Sequence, residues 1–509
     1  MRTGALAHTT MRLDTLIKKI QPETVKGSKS VEIEGLAYDS RQVRPGFLFV
    51  ALHGQNREGA EFLDDAVHRG AAAIVSEEPR PLRRDATQIQ VRDARLALAQ
   101  LACAYYGEPS SKLDVVGITG TNGKSTTSFM VRDILRAGGR TPGLLGTIRY
   151  EIGERCIPAL RTTPEATDIQ SMLDQMIRAG CRSVVMEVSS HGLVQKRTWG
   201  LDFDVAVFTN LTRDHLDYHE TMENYFDAKA TLFQELGKKS KAATAVINID
   251  DPWGVRLAAS HAPQAGLLTY GLHPEAMMRA EEVHCSAEGS SFWVASPWGR
   301  VRFQLKVLGR FNISNALAAT AACGALGIKP ETSAEVLASM KPAPGRLEQI
   351  PNERGALVFV DYAHTDDALA NVLQTLREIT KGRLIAVFGC GGRRDRAKRP
   401  LMGAVAGRMA DFSIVTSDNP RNEDPVDIIV QVAAGFGFSG QFEMELDRRK
   451  AIARALSMAR EGDTVLIAGK GHENYQEFAN TIIPFDDRDV VRELLRNMGN
   501  QKPETREGE

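Results

Sequence analysis

Residues 117–127 read Gly-Ile-Thr-Gly-Thr-Asn-Gly-Lys-Ser-Thr-Thr, a glycine-rich turn between an apolar run at 113–118 and a stretch with helical periodicity at 126–135. The apolar run predicts a buried strand. The turn then presents backbone N–H groups and a helix N-terminus to phosphate oxygens. Gly120 and Gly123 let the backbone approach closely, Lys124 brings a point charge to the terminal phosphates, and Ser125 or Thr126 offers a hydroxyl to magnesium. The spacer between the glycines is shorter than in the general Walker pattern, and a glycine turn before a helix also occurs as a purely structural device. The Lys-Ser-Thr-Thr tail in strand–turn–helix context favours phosphate binding, and so a chain that handles a nucleoside triphosphate.

At 509 residues the chain is too long for one ordinary core, and length predicts about three domains. A formal net charge of −1 argues against a broad electrostatic footprint for nucleic acid or an anionic membrane. No apolar run approaches the roughly 20 residues of a membrane-spanning helix, and residues 1–20 lack the uninterrupted apolar segment of a secretory signal. The six cysteines include no Cys-x-x-Cys pair, so neither a disulfide framework nor a zinc site is expected. Cytoplasmic residence, no membrane insertion and a monomer are the expectations.

Three blocks follow from punctuation and periodicity. The first, 1–110, mixes short strands (31–37, 47–51, 73–75) with helices near 59–69 and 95–106, and Gly-Glu-Pro-Ser-Ser at 107–111 reads as a linker. The second, 111–345, opens with the phosphate loop, has strands at 183–187, 205–209 and 243–249, and closes at Lys-Pro-Ala-Pro-Gly, 341–345. The third, 346–509, alternates strands at 356–361, 383–389, 412–416 and 464–468 with helices, including 448–458 and 488–498. Strands separated by helices indicate βαβ units and parallel-rich sheets. The expected class is therefore α/β, with a P-loop ATPase-like centre and a Rossmann-like C-terminal domain facing it across a ligand cleft. Residues 500–509 are polar and charged, and disorder is expected there.

Ser-Val-Val-Met-Glu187 is a buried-strand pattern ending in a carboxylate, which suits magnesium coordination, although a strand-end Glu is often only solvated. The loop 210–219, Asn-Leu-Thr-Arg-Asp-His-Leu-Asp-Tyr-His, is dense in ligand-type side chains, and spacing does not choose among Asp214, His215, Asp217 and His219. It lacks the Asn-Lys-x-Asp arrangement expected for guanine, so adenine is the better fit. In a helix at 223–236 capped by Thr221, an angle of about 100° per residue puts Tyr225, Phe226, Leu232, Phe233 and Leu236 in one apolar stripe. Lys229 falls inside that stripe. Periodicity alone favours a snorkelling lysine; a truly buried amine needs a counter-charge, a depressed pKa or chemical conversion. A carbamate formed with CO2 would turn it into an anionic metal ligand.

Six motifs occur in order: Gly-Thr-Asn-Gly-Lys-Ser, Met-Glu-Val-Ser-Ser-His-Gly-Leu, the 210–219 loop, Tyr-Phe-Asp-Ala-Lys, Asp-Tyr-Ala-His-Thr and Asp-Asn-Pro-Arg. Together they resemble the Mur ligases, most closely the MurE type, which adds the third amino acid to the peptidoglycan stem peptide. The resemblance runs from about Met11 onward, which would make 1–10 an extension or a misassigned start. It implies an N-terminal domain for the uridine-nucleotide substrate, a central ATP domain and a C-terminal domain for the incoming amino acid. It also implies that Lys229 is carbamylated and ligates magnesium with His215, against the snorkelling reading, while Glu187 and the Ser125 hydroxyl hold a first magnesium. Gly120, Thr121, Asn122, Gly123, Lys124, Ser125 and Thr126 would bind ATP, with Asn315, Arg346 and Asp361 at its adenine, phosphate and ribose. Ser40, the Gly54-Gln55-Asn56 turn, Thr162, Thr163, Ser189, Gln195 and Arg197 match contacts to the UDP-linked substrate. Three departures stand out: Ser125 where threonine is usual, Arg393 where many relatives have aspartate, and Asp366 in place of a frequent proline.

Asp418-Asn419-Pro420-Arg421 follows the 412–416 strand, at the carboxyl edge where α/β sheets bind ligands. In isolation Arg421 would be read as a helix cap or as a partner of Glu423. In MurE-type ligases this tetrapeptide resembles the form found in diaminopimelate-adding members. A guanidinium fork binds a carboxylate bidentately, and diaminopimelate has a distal carboxylate where lysine has none. Arg421 would also repel the terminal ammonium of lysine. Arg394, Gly469 and Glu473 match the remaining contacts, with Glu473 suited to an ammonium. The implied reaction is ATP-dependent amide formation through an acyl phosphate, with magnesium as cofactor and UDP-MurNAc-dipeptide, meso-diaminopimelate and ATP as partners. Folylpolyglutamate synthetases share the loop and the amide chemistry but not the N-terminal block or Asp-Asn-Pro-Arg. A nucleotide-switched binding or motor protein would leave the substrate-type arginine unexplained.

Overall fold

The structure, a computed structural model, describes residues 10–500 apart from 54–58, 79, 84, 240, 261–262, 287, 438–439 and 480. It is α/β throughout, with three main sheets. The N-terminal sheet runs in the order Thr24–Lys26, Thr87–Gln90, Ala73–Ser76, Phe47–Val50, Gly35–Ala37, parallel except at its first pair. The single strand expected at 31–37 is two, Glu32–Ile33 and Gly35–Ala37, which pair with different partners. The 107–111 segment is not a free linker. A 3-10 turn at Pro109–Lys112 buries Pro109 and Ser110, and the Ser110 hydroxyl accepts from the backbone of Asp202.

The central sheet has eleven strands. Its middle carries β1 (Asp114–Thr119), β2 (Ser183–Glu187) and β3 (Val205–Phe208), with β1 parallel to β2 on one side and to β3 on the other. Val115, Val116 and Ile118 are fully buried, as expected of a strand covered by helices on both faces. β1 feeds helix α1 (Lys124–Ala137), and the chain continues through α2 (Met222–Gln234), α3 (Arg310–Ala325) and α4 (Pro330–Ser339). α3 is buried on nearly every side, which its run of alanines permits. The sheet extends beyond the phosphate-binding core through the strands Met278–Ser286, Gly289–Ser296 and Gly299–Leu305, an antiparallel meander.

The C-terminal sheet contains β4 (Leu357–Asp361), β5 (Leu384–Phe388), β6 (Phe412–Thr416) and β7 (Thr464–Ala468), all parallel, with β7 inserted between β4 and β5. Helix α5 (Asp366–Ile379) follows β4, capped by the Thr365 hydroxyl. The carboxyl ends of these strands face the phosphate loop. Among the described residues no helix is long and apolar enough to cross a membrane, and all six cysteines are free.

Candidate active site

One cavity of about 680 Å3 lies between the central and C-terminal sheets. Its central wall is the turn between β1 and α1. Gly120 and Gly123 have φ of +146° and +87°, and a side chain at Gly123 would collide with Asn315. Glycine is therefore required there both by conformation and by the close approach of α3. The Lys124 amine donates to the carbonyl oxygens of Gly120 and Thr121 at 2.9 and 2.8 Å, and burial lowers its pKa. Thr121 and Asn122 are tied to the 210–219 loop, through the Thr212 carbonyl oxygen and the Asn210 side chain.

Glu187, at the carboxyl end of β2, is fully buried. Its carboxylate accepts from the Ser125 hydroxyl at 3.1 Å, the Thr147 hydroxyl at 2.8 Å and the Thr147 backbone at 2.9 Å. The Ser125 hydroxyl also accepts from Arg346 at 3.1 Å. Arg346 thus reaches the phosphate loop from the segment that enters the C-terminal sheet.

Lys229 does not snorkel. It is 1% exposed because α2 packs its Tyr225 and Phe233 face into the core, with the amine 4.5 Å above the Tyr225 ring. The amine donates to the Gly120 carbonyl oxygen at 3.0 Å. Among the described residues no ion pair to Lys229 forms. Burial, helped by the nearby charge of Lys124, pushes its pKa well below the usual lysine value. His215 sits beside it in a left-handed conformation (φ 54°), with Nε2 3.3 Å from the Asp214 carboxylate. Burial pushes His215 down to about 3 against the pull of Asp214. Burial works against ionisation of Asp214, but a hydrogen bond from His364 and the charge of His215 outweigh it and lower its pKa.

The C-terminal wall is built from strand ends. Asp361 gives both carboxylate oxygens to backbone N–H groups, of Leu347 at 2.6 Å and Ala363 at 2.7 Å, so it shapes the entry to the domain as well as lining the cavity. After β6, Asn419 donates to Glu473 at 2.9 Å, and the buried Lys470 bridges Asn419 and Glu473, both at 3.1 Å. Arg421 has φ 54°. Its Nε donates to Glu477 at 2.9 Å and its Nη1 to the Gly392 carbonyl oxygen at 2.8 Å. The Glu423 pairing is replaced by this one, since Arg399 and Arg396 take Glu423 instead. Gly469 and Arg394 complete this wall.

Of the residues expected at the UDP-linked substrate, Thr162 and Ser189 line the cavity. Thr163, Gln195 and Arg197 form a network immediately behind them: Thr163 donates to the Glu187 carbonyl oxygen at 2.9 Å, and Arg197 reaches the Thr163 carbonyl oxygen at 2.8 Å and Gln195 at 2.6 Å. The Arg197 Nε is buried without a partner. Ser40 is buried in the N-terminal unit against Asp65, away from the cavity lining. Gly54, Gln55 and Asn56 lie outside the described residues. Pro420 is buried beneath Asn419 and Arg421 and does not line the cavity.

Sequence reading missed several contributors. Asp367, on the first turn of α5, accepts from Asn122 of the phosphate loop at 3.0 Å. Arg213 pairs with Asp395 at 3.4 Å, and His364 lies 3.8 Å from Asp214. With Arg346, these contacts hold the two walls together. Thr147 and Lys470 were also missed. The only sequence signal for Lys470 is its place between two glycines, and for Asp367 the pair of acids after Asp-Tyr-Ala-His-Thr.

Family models match the three units: "Mur ligase family, catalytic domain" over residues 32–106, "Mur ligase middle domain" over 118–323, and "Mur ligase, glutamate ligase domain" over 345–471. The UDP-N-acetylmuramoyl-L-alanyl-D-glutamate--2,6-diaminopimelate ligase of Geobacter metallireducens is 47% identical, over 96% of this chain and 99% of that one. The ligase of the same name from Geobacillus kaustophilus is 45% identical, over 96% and 100%. A solved structure of a ligase of that name superposes with a TM-score of 0.67 at 34% identity, covering 96% of this chain and all of the other. MurF ligase from Thermotoga maritima in complex with ADP shares the fold at 20% identity, with a TM-score of 0.64 over 92% and 98%.

Proposed function

The chain belongs to the Mur ligase family, and from that premise we propose that it joins meso-2,6-diaminopimelate to UDP-N-acetylmuramoyl-L-alanyl-D-glutamate at the expense of ATP. One observation carries the choice of amino acid: Arg421 and Glu473 stand together on the cavity wall opposite the phosphate loop. A guanidinium and a carboxylate there suit a donor with both a distal carboxylate and an ammonium.

In the proposed reaction the D-glutamate side-chain carboxylate attacks the γ-phosphate of ATP, giving an acyl phosphate and ADP. The diaminopimelate amine then attacks the acyl carbon, and phosphate leaves from the tetrahedral intermediate. Lys124 and the backbone N–H groups of the phosphate loop stabilise charge on the phosphate oxygens. Lys124 grips its own loop, so nucleotide binding exchanges carbonyl acceptors for phosphate ones. The contacts of Asp367, Arg346 and Asp395 across the cavity keep water from an intermediate that it would hydrolyse.

The residues present fit magnesium. Two hydroxyls and a carboxylate meet at Glu187, the hard oxygen set this ion takes. Among the described residues no three His, Cys, Asp or Glu side chains converge as a metal cluster; magnesium is commonly held by one or two carboxylates together with substrate phosphates and water. Ser125 and Glu187 would hold one ion, and His215 with carbamylated Lys229 a second. Bound there, magnesium supplies charge neutralisation and Lewis-acid polarisation of the phosphoryl oxygens. The low pKa of Lys229 favours the free amine, which adds to CO2 and releases one proton to give the carbamate anion.

Hydroxylamine trapping tests the intermediate. With ATP, magnesium and the UDP-dipeptide but no diaminopimelate, hydroxylamine should capture the activated glutamate as a hydroxamate. ADP formation without a trapped hydroxamate would speak against the acyl phosphate.

A further inference from the structure

A second cavity of about 640 Å3 opens at the other end of α1, away from the phosphate loop. Four basic side chains line it, Arg132, Arg136, Arg149 and Lys341, against one acid, Asp133. Two of the four are committed. Arg132 is spent on Asp133 and Glu151 at 2.8 and 2.7 Å, and Arg149 on Glu151 at 2.7 Å. Arg136 is held more loosely: its guanidinium makes only long ion pairs, 3.9 and 3.7 Å, to the same two carboxylates, and among the described residues its side chain donates no hydrogen bond. Lys341 has neither an ion pair nor a hydrogen bond among the described residues. Apart from Ser339 the rest of the lining is apolar, chiefly Val336, Met340, Pro342 and Pro344, with the Phe129 ring held under the Arg132 guanidinium at 4.4 Å.

Its position gives the cavity a lever on the active site. Residues 340–346 join α4 to the C-terminal sheet. Met340, Lys341 and Pro342 line the second cavity, Pro342 lines both cavities, and Arg346 reaches Ser125 in the phosphate loop. Arg136 stands on the last turn of the helix whose first residue is Lys124.

We propose that this second cavity binds a small organic phosphate monoester with an apolar body, and that its occupant acts on the 340–346 segment connecting the central and C-terminal domains. Two cations match a dianionic head: the guanidinium fork of Arg136, held only by long ion pairs, and the ammonium of Lys341, which has none among the described residues, both supplying donors. The proline, valine and methionine wall takes the apolar body. A ligand bridging Arg136 on α1 and Lys341 on the connector fixes the connector against the helix that carries the phosphate loop. This site is separate from the ligase reading and stands without it.

Phenyl phosphate is the probe. Calorimetric titration into the full chain, with a non-hydrolysable ATP analogue and magnesium filling the first cavity, should show one saturable site. The double variant Arg136→Ala/Lys341→Ala should weaken binding at least about tenfold, while Arg136→Lys/Lys341→Arg retains most of it. Hydrogen exchange across 340–346 should slow on binding. Four results overturn the proposal: no saturable binding in the millimolar range, affinity unchanged in the alanine variant although it folds, equal affinity for inorganic phosphate, or exchange of 340–346 unchanged at saturation.

Discussion

Lys124 and Lys229 donate to the same acceptor, the carbonyl oxygen of Gly120, at 2.9 and 3.0 Å. Two amines crowded onto one buried oxygen cannot both carry full charge cheaply. Lys229, buried over Tyr225 and without an ion pair among the described residues, has its pKa pushed well below the usual lysine value by burial and by the charge of Lys124. A snorkelling lysine would have no such constraint.

Lys229 should therefore take up CO2. Protein exchanged into 13C-bicarbonate should give a carbamate carbon resonance that is missing from Lys229→Ala. Because a guanidinium stays protonated, Lys229→Arg should lose roughly 10²–10³ in kcat, the scale of a lost transition-state contact. An Arg variant near wild-type activity would rule out the carbamate.

Arg421 should govern use of the amino-acid substrate and Glu477 should act through it. Arg421→Ala is expected to raise the KM for diaminopimelate by about 30-fold or more, as loss of a buried charge-assisted contact does, while leaving the KM for ATP almost unchanged. Glu477→Gln should give a smaller rise, since it loosens the guanidinium without removing it. Comparable losses for ATP and diaminopimelate would show that Arg421 serves the fold and not the pocket.

Arg448 and Asp487 form a fully buried bidentate ion pair, at 2.8 and 2.7 Å. Removing one partner strands the other, so Asp487→Ala should cost about 3–5 kcal/mol in urea unfolding. The exposed pair Arg454–Glu443 provides the contrast, and Glu443→Ala should cost under about 1 kcal/mol. Equal effects would contradict the burial argument.

His472 gives the chain a measurable pH dependence. Burial, with Arg346 and Arg488 nearby, pushes it down to about 3 from an ordinary value of 6.5. The unfolded chain then binds the proton between those values while the folded one does not. Stability is thus full above about pH 6.5 and falls as the pH drops towards 3, by up to about 1.4 kcal/mol per unit for this one group. His472→Gln should flatten the curve of unfolding free energy between pH 6.5 and 4.5. An unchanged slope would show that the imidazole is protonated in the folded chain.

The sequence made local features legible where local chemistry fixes them. The strand–turn–helix at the phosphate loop, the strand ends at Glu187 and Asp418, and the helix around Lys229 all follow from periodicity, glycine placement and caps. Whether Lys229 is buried did not follow, because its stripe position fits both a buried and a snorkelling amine; packing of α2 against β3 and the loop decides it. The meander at Met278–Leu305 went unread although Val301, Phe303 and Leu305 alternate with outward Arg300, Arg302 and Gln304, the period of a half-buried strand. Contacts such as Asn122–Asp367 and Lys470–Glu473 depend on how two domains close or on how one loop folds over another, and no short window of sequence encodes them.

Coupling of ATP cleavage to amide formation with a specific diamino acid can be measured directly. Product formation should be followed with UDP-N-acetylmuramoyl-L-alanyl-D-glutamate, ATP and magnesium, adding either meso-diaminopimelate or L-lysine. One UDP-tripeptide per ADP is expected with diaminopimelate, and little or none with lysine. ADP released at the same rate whether or not the two substrates are present, with no tripeptide, would contradict the coupling.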